Sequence, residues 1–166
     1  MSRPPVIGDI VFAHSNGVMG KAIRFGERLR WGETPSYWNH VAIVSRVDED
    51  GTAYVTQAEP RGVTNDKSLD SVGTYRLVSL PEGVSREKVL RFAHQEVGSR
   101  YGWMSIASIA LDIATPNWFP STRRSNTWVC SALVAEALRA GGVIFSWADI
   151  YCVTPAQLFA RLTANV

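Results

Sequence analysis

The run of residues 37–45, Y-W-N-H-V-A-I-V-S, constrains the fold of this chain more than any other stretch. Aromatic and β-branched side chains dominate it, and apolar residues occupy both of its alternating faces, as is typical of a central strand. An acidic turn at 48–51 follows and ends in the Asp-Gly pair that favours tight hairpins. Residues 52–58 are predicted to form the antiparallel return strand, which Pro60 ends. The sequence therefore predicts an antiparallel sheet built around this hairpin.

The same kinds of pattern predict further elements on both sides of the hairpin. Residues 8–13 are predicted to form a turn followed by a short strand, and residues 73–80 a further strand. Four other stretches are predicted to be helical: 15–29, 85–97, 103–114 and 155–162. Thr154 and Gln157 match a capping box at the start of the last one, and residues 63–71 are expected to form a loop with a short extended piece.

Residues 126–142, N-T-W-V-C-S-A-L-V-A-E-A-L-R-A-G-G, are predicted to form one more helix. Asn126 or Thr127 would cap its first turn, and the two glycines would end it. Cys130 would then lie in the first turn, where the positive end of the helix dipole favours thiolate over thiol. This placement alone does not identify a nucleophile, because a lone cysteine is more often a small apolar core residue.

Size and composition exclude several classes of function. Lys and Arg number 17 and Asp and Glu number 15, and a net charge of +2 without a basic stripe argues against binding nucleic acid. Two cysteines give neither a disulfide framework nor a C-x-x-C metal motif. The first residues carry no apolar signal sequence, and residues 103–114 are too short to span a bilayer. We therefore expect a protein that is cytoplasmic as synthesised, without a transmembrane segment, although export without a signal, as for some phage products, stays open.

A cysteine hydrolase needs a stabilised thiolate, an imidazole that takes and returns the proton, and a polar group that orients the imidazole. Cys130 at a helix start and His40 in the central strand are the candidates for the first two. Gln57 and Glu59 share one face of the return strand, so either could meet His40 across the hairpin. The spacing alone does not choose between them.

Six short motifs follow one another along the chain: GDIVF near the start, WNHVAIV around His40, VTQA on the return strand, GSRYGW, WVCSALVAEAL around Cys130, and TPAQL near the end. In this order the chain resembles the permuted papain-like enzymes of the NlpC superfamily, in particular the YiiX/YaeF-like branch, in which the histidine strand precedes the cysteine helix. The resemblance implies an α+β, circularly permuted papain-like (NlpC/P60) fold in a single domain over residues 1–166. Its antiparallel sheet, of about four to six strands, would pack against the nucleophile helix and further helices.

The resemblance also implies roles for individual residues. Cys130 matches the nucleophile and His40 the general base. Gln57 matches the third polar residue, where this branch often has glutamate, and Glu59 stays an alternative orienter. A neutral amide orients the imidazole but stabilises its charged form less than a carboxylate does.

Three further positions are candidates for the substrate cleft. Tyr101 matches a recurrent aromatic residue of the family, although packing would explain it equally well. Ser131 keeps the small hydroxyl expected after the nucleophile, and Trp38 precedes the histidine in its motif. Ala132 departs from the glutamate that relatives often carry.

The function implied by the resemblance is a thiol hydrolase that cleaves a cell-wall peptide or another amide through a thioester acyl-enzyme, without a metal or an organic cofactor. Its partner would be a small peptide or acyl-amide substrate, and the sequence does not indicate an oligomeric state. Two alternatives remain: acyl transfer or lipid acyl hydrolysis by the same Cys–His pair, and a non-catalytic binding module on the same fold. Cys152, which has no helix start of its own, is expected to be unreactive.

Overall fold

The computed structural model describes residues 3–14, 37–102, 127–145, 150 and 153–164. Within these ranges, five strands form one antiparallel sheet: β1 (Ile10–His14), β2 (His40–Val47), β3 (Ala53–Glu59), β4 (Gly62–Ser68) and β5 (Thr74–Val78). Their spatial order is β4-β3-β2-β1-β5, so β2 is the central strand, as its apolar sequence predicts. The described helices are α1 (Arg86–Gln95), α2 (Cys130–Ala140) and α3 (Pro155–Thr163). The α+β class with an antiparallel sheet is thereby confirmed.

The predicted hairpin between β2 and β3 is present, and its turn has the expected chemistry. The backbone N–H of Asp48 donates to the carbonyl of Thr52 at 2.9 Å, which closes the turn. Gly51 has a φ of +87°, a conformation that glycine adopts without the steric penalty of a side chain. The turn therefore fixes the register that brings β3 alongside the histidine strand.

The sheet has apolar residues on both faces, and each face packs into a different cluster. On one face, residues of β1 and β2 pack against α2 and α3: Ile10, Phe12, Val41, Ile43, Val134, Leu138 and Leu158. The other face carries a smaller cluster: Val11, Ala42, Val44, Val55 and Leu69. Helix α2 thus lies against the central strand, which brings its first residue near the start of β2.

Strand β4 corrects the expectation of a loop over residues 63–71. The segment pairs with β3 through a tight turn that joins Glu59 to Gly62, and a short 3₁₀ helix, Leu69–Val72, follows. Its sequence is polar because it lies at the edge of the sheet, where β3 supplies backbone partners that local propensity does not reveal. Gly62 is required at the turn, because its φ is +119° and a Cβ atom there would lie 2.7 Å from the carbonyl oxygen of Ser99.

The start of α2 also differs from the expectation. The helix begins at Cys130, so Thr127 is not its cap, and Asn126 lies outside the described residues. Thr127–Trp128 instead forms a two-residue strand, β7, which pairs in parallel with β6 (Arg100–Tyr101). The N–H of Gly102 donates to the carbonyl of Trp128 at 2.9 Å and extends this pairing. The distant partner strand holds the chain extended until immediately before the cysteine.

Other sequence expectations have mixed outcomes. The capping box at Thr154 and Gln157 is confirmed on α3. Helix α1 ends at Gln95, two residues before the predicted end at 97, and Val97 beyond it is exposed. The helices predicted at 15–29 and 103–114 fall outside the described residues, as does Cys152. None of the helices in the described ranges is long and apolar enough to cross a membrane.

Candidate active site

Cys130 is the first residue of α2, and its side chain is buried. Val129 occupies the N-cap position and supplies no side-chain hydrogen bond to the first turn. The thiol therefore sits at the N-terminus of the helix, where the dipole favours an anion and no capping oxygen competes for the backbone N–H groups.

His40 is the first residue of β2 and lies between the cysteine helix and β3. Its Nε2 atom is 2.6 Å from Oε1 of Gln57, a fully buried residue of β3. Because a carbonyl oxygen only accepts hydrogen bonds, Nε2 carries a proton, which leaves Nδ1 as the nitrogen available to the sulfur of Cys130. A hydrogen bond joins the imidazole to that sulfur. Gln57 thus fixes the ring in the orientation that faces the thiol.

The ionisation of the Cys130 thiol is linked to that of the His40 imidazole. Burial raises the pKa of the Cys130 thiol, but the hydrogen bond to His40 and its positive charge outweigh burial, so the pKa lies below its ordinary value. Burial lowers the pKa of His40, and the hydrogen bond and charge of Cys130 more than reverse this, so the pKa is raised. Gln57 and Glu59 add smaller upward contributions to the pKa of His40. Thiolate and imidazolium therefore stabilise each other.

The sheet opens between β2 and β3 next to this pair, which frees a backbone donor for the sulfur. Val44 directs its N–H to the carbonyl of Asp9, the residue before β1, so by strand alternation Val41 directs its N–H toward the β3 side. The β2–β3 pairing begins only at Ile43 and Thr56, beyond Val41. A hydrogen bond from the backbone of Val41 reaches Cys130 and helps to lower its pKa.

Glu59, the alternative orienter, lies two residues beyond Gln57 on the same strand. Its carboxylate oxygen Oε1 is 2.5 Å from Nζ of Lys67 on β4, and both side chains are about one-third exposed (30% and 35%). The carboxylate raises the pKa of His40 by its charge, without a hydrogen bond to the ring. The structure therefore gives the hydrogen bond to Gln57 and leaves Glu59 as a nearby charge.

Tyr101, on β6, is buried and packs in a cluster with residues around the start of α2: Trp128, Val129, Ala132 and Leu133. Burial raises the pKa of Tyr101, and the negative charges of Cys130 and Glu59 raise it further. The phenol therefore stays protonated beside the thiolate.

The two remaining cleft candidates have packing contacts. The Ser131 hydroxyl is buried and donates to the carbonyl of Val153 at 2.6 Å, which ties α2 to the segment before α3. Trp38 is partly buried, with its ring 5.8 Å from that of Phe159 and 4.8 Å from that of Tyr37 (centroid distances). The structure gives the Ser131 hydroxyl an internal partner rather than a position facing the thiol.

Two groups near the Cys130–His40 pair were not predicted from the sequence. Lys67 lies in the segment expected to be a loop. In the observed register it is opposite Val55, and its long side chain reaches along the sheet to Glu59, a contact that strand alternation does not predict. The hydrogen bond from the backbone of Val41 to Cys130 could not be predicted from the identity of any side chain. Whether this N–H is free depends on where the β2–β3 pairing begins.

No protein-family model and no curated protein sequence matches this chain. One solved structure to which it is similar is the crystal structure of the metalloprotein yiiX from Escherichia coli O157:H7. The two structures superpose with a TM-score of 0.58 at 20% sequence identity, over 84% of this chain and 68% of yiiX. At this level of identity the likeness concerns the fold, and it supports a yiiX-like fold for this chain.

Proposed function

We propose that this chain is a thiol hydrolase that cleaves an amide bond on a circularly permuted papain-like (NlpC/P60) domain. The observation that carries the proposal is the placement of His40, whose Nε2 donates to Gln57 while the ring faces the thiol of Cys130. The order of the elements agrees with it, because the histidine strand precedes the cysteine helix.

His40 carries each proton transfer that the reaction needs, Cys130 supplies the nucleophile, and Gln57 orients the imidazole. In the thiolate–imidazolium pair His40 holds the proton of Cys130, and the thiolate sulfur attacks the carbonyl carbon of the amide to give a tetrahedral intermediate. The backbone N–H of Cys130 at the helix start is the candidate donor to the oxyanion. The C–N bond then breaks, His40 gives its proton to the leaving amine, and a thioester remains.

The second half of the reaction returns the enzyme to its starting state. Water loses a proton to His40 and attacks the thioester carbonyl, and the C–S bond breaks. The acid is released, and the sulfur of Cys130 leaves as the thiolate beside the protonated His40, the state in which the reaction began. Gln57 keeps the ring in one orientation throughout, since its amide oxygen accepts from Nε2 in both the neutral and the charged form.

The substrate class follows from the resemblance of the motifs and is a cell-wall peptide or another small acyl-amide. The cleavable group must reach a sulfur that is buried at the start of α2. A small or extended acyl group fits such a thiol better than a folded protein does.

The yiiX protein is described as a metalloprotein, but the residues of this site do not match a set of metal ligands. In the ranges that the structure describes, no group of three or more His, Cys, Asp or Glu side chains is placed to hold one. The two ring nitrogens of His40 are also engaged, one by Gln57 and the other by Cys130. These residues do not fit a metal centre, and no step is assigned to a metal.

The test is to trap the acyl-enzyme. The protein is incubated with peptidoglycan fragments, simple acyl-amides and acyl-lipids in separate reactions, quenched in acid, and analysed by intact mass and peptide mapping. We expect an acyl mass on Cys130 with an amide substrate, and none in Cys130→Ala. Acylation by lipids alone would favour a lipid acyl hydrolase or acyltransferase, and no adduct with any class would favour a binding module.

A further inference from the structure

The third residue of a Cys–His site orients the imidazole, and where this residue is a carboxylate it also stabilises the imidazolium by its negative charge. Here the residue bonded to His40 is Gln57, whose neutral amide performs only the first task. The charge must come from elsewhere if the thiolate–imidazolium pair is to be stabilised beyond what Cys130 itself supplies.

Glu59 lies where such a charge is useful. It is two residues from Gln57 on β3, so the two side chains leave the strand on the same side. Its carboxylate is fixed by Lys67 at 2.5 Å and is partly shielded from water. Because Gln57 on the same face contacts His40, the Glu59 carboxylate lies near the site, and its charge raises the pKa of both His40 and Tyr101.

A second observation, on the side-chain amide of Gln57, bears on this arrangement. Its Nε2 atom is buried, and no hydrogen-bond partner for it lies among the described residues. A glutamate at this position would bury a carboxylate oxygen in the same place without a donor, which is less favourable than an unpaired amide nitrogen. It would also place a second carboxylate on the same side of β3 as Glu59, where the two negative charges would repel each other. A neutral Gln57 is therefore compatible with a carboxylate at Glu59, whereas two carboxylates at these positions would repel each other.

We propose that the work of the third residue is divided along β3: Gln57 orients the imidazole of His40, and Glu59, held by Lys67, supplies the negative charge that stabilises the imidazolium. Glu59 is thus a positioning residue that acts through His40 and does not touch the substrate. This division rests on the proposed thiol hydrolase, since it describes how the same pair is kept charged.

The charged groups around His40 fix the sign of each expected change. Cys130 on α2 and Glu59 on β3 favour the imidazolium by negative charge, and Tyr101 on β6 is a neutral phenol. Lys67 on β4 opposes the imidazolium and partly neutralises Glu59. Removing the charge of Glu59 must therefore lower the pKa of His40, and removing the charge of Lys67 must raise it.

The test measures the pKa of His40 directly, by NMR of the imidazole carbons in protein with labelled histidine. His14 and His94 are the other two histidines of the chain, and their single replacements assign the signals. We expect Glu59→Gln to lower the pKa of His40 by about half a unit, and Lys67→Met to raise it by a similar amount. Glu87→Gln, which removes one partner of an exposed ion pair on α1, is the matched control and should leave it unchanged.

A second background separates charge from structure. In Gln57→Glu the carboxylate bonds His40 directly and should raise its pKa, and adding Glu59→Gln should lower the pKa again by about half a unit, because a charge acts in either background. A purely structural role of Glu59 predicts that Gln57→Glu and Gln57→Glu/Glu59→Gln titrate alike.

The proposal is overturned if Glu59→Gln leaves the His40 titration unchanged, or if Glu59→Gln and Lys67→Met shift it in the same direction. Failure of the proposed function looks different. In that case Cys130 of the wild type titrates and alkylates as an ordinary thiol, and His40 titrates independently of it, whatever the effect of Glu59.

Discussion

The Nε2 atom of His40 lies 2.6 Å from the Oε1 atom of Gln57 on the neighbouring strand. Since the glutamine is fully buried and the histidine begins the central strand, this contact fixes the ring on the side where α2 presents its first residue. The orientation of the imidazole is therefore set by the β2–β3 hairpin and not by the cysteine helix.

The first prediction concerns Gln57→Leu. The leucine keeps the volume of the side chain but leaves Nε2 of His40 without an acceptor, so the ring loses its fixed orientation. We expect kcat to fall about 10- to 100-fold, less than the full contribution of a general base, with little change in KM. The free energy of unfolding should change by less than about 1 kcal/mol, because the substitution also removes the unpaired amide nitrogen. An unchanged kcat would contradict the orienting role.

The second prediction uses the preceding residue as a matched control. The Thr56 hydroxyl is buried on β3, and no partner for it lies among the residues that the structure describes. Thr56→Val removes this unpaired group while keeping the shape, so we expect an increase in stability of up to about 1 kcal/mol and no change in kcat. Urea unfolding measures the first and steady-state kinetics the second. A loss of stability above about 1 kcal/mol would show that the hydroxyl has a partner.

Part of the fold and of the site could be predicted from the sequence. The β2–β3 hairpin and the capping box of α3 are encoded in neighbouring residues, so turn chemistry and strand alternation were sufficient to predict them. The structure brings His40, Gln57 and Cys130 together, as the resemblance implied. The choice of Gln57 over Glu59 as the hydrogen-bonded partner depended on side-chain placement that spacing does not specify.

The remaining differences have a common cause in long-range pairing. Strand β4 has a polar sequence, and it is extended because β3 offers it backbone partners. Helix α2 begins at Cys130 because β6 holds residues 127–128 in an extended conformation. Local propensity does not report such contacts between segments that are distant in the sequence, and Lys67 was missed for the same reason.

The third prediction separates packing from catalysis at Ser131. Its hydroxyl donates to the carbonyl of Val153 in a buried site. Ser131→Ala leaves that carbonyl without this partner, so we expect a loss of stability of about 1–3 kcal/mol with kcat/KM unchanged within about twofold. Thermal unfolding and kinetics are measured on the same preparation. A fall in kcat/KM above tenfold without a loss of stability would place the hydroxyl in the substrate cleft.

The fourth prediction concerns the strand that precedes the cysteine. The indole Nε1 of Trp128 donates to Oε2 of Glu96 at 2.6 Å, and the hydroxyl of Ser99 donates to the same oxygen at 2.8 Å. Trp128→Phe keeps an aromatic ring but removes a hydrogen bond to a charged group, so we expect a loss of about 1.5–3 kcal/mol in unfolding free energy.

Ser99→Ala is the control for this contact, because it leaves the indole hydrogen bond in place. It should cost less than Trp128→Phe does. Equal stability of wild type and Trp128→Phe would mean that the Glu96 contact does not hold β7 in position before α2.

The central claim is that Cys130 and His40 form a thiolate–imidazolium pair. The pKa of Cys130 is lowered and that of His40 is raised, so thiolate should be present from below the ordinary thiol range upward. Without His40, the burial that raises the pKa of Cys130 is no longer opposed by the imidazolium. The alkylation profile should then move to higher pH.

The most direct measurement is the rate of iodoacetamide alkylation of Cys130 from pH 4 to pH 10, about the range in which thiols and imidazoles titrate, with peptide mapping to separate it from Cys152. Wild type and His40→Ala are compared, with circular dichroism as the control for folding. The account predicts fast alkylation of wild-type Cys130 well below pH ~8.5, the ordinary thiol range, and a single titration at or above that range in His40→Ala. A wild-type profile that follows a free thiol and does not change when His40 is replaced would contradict it.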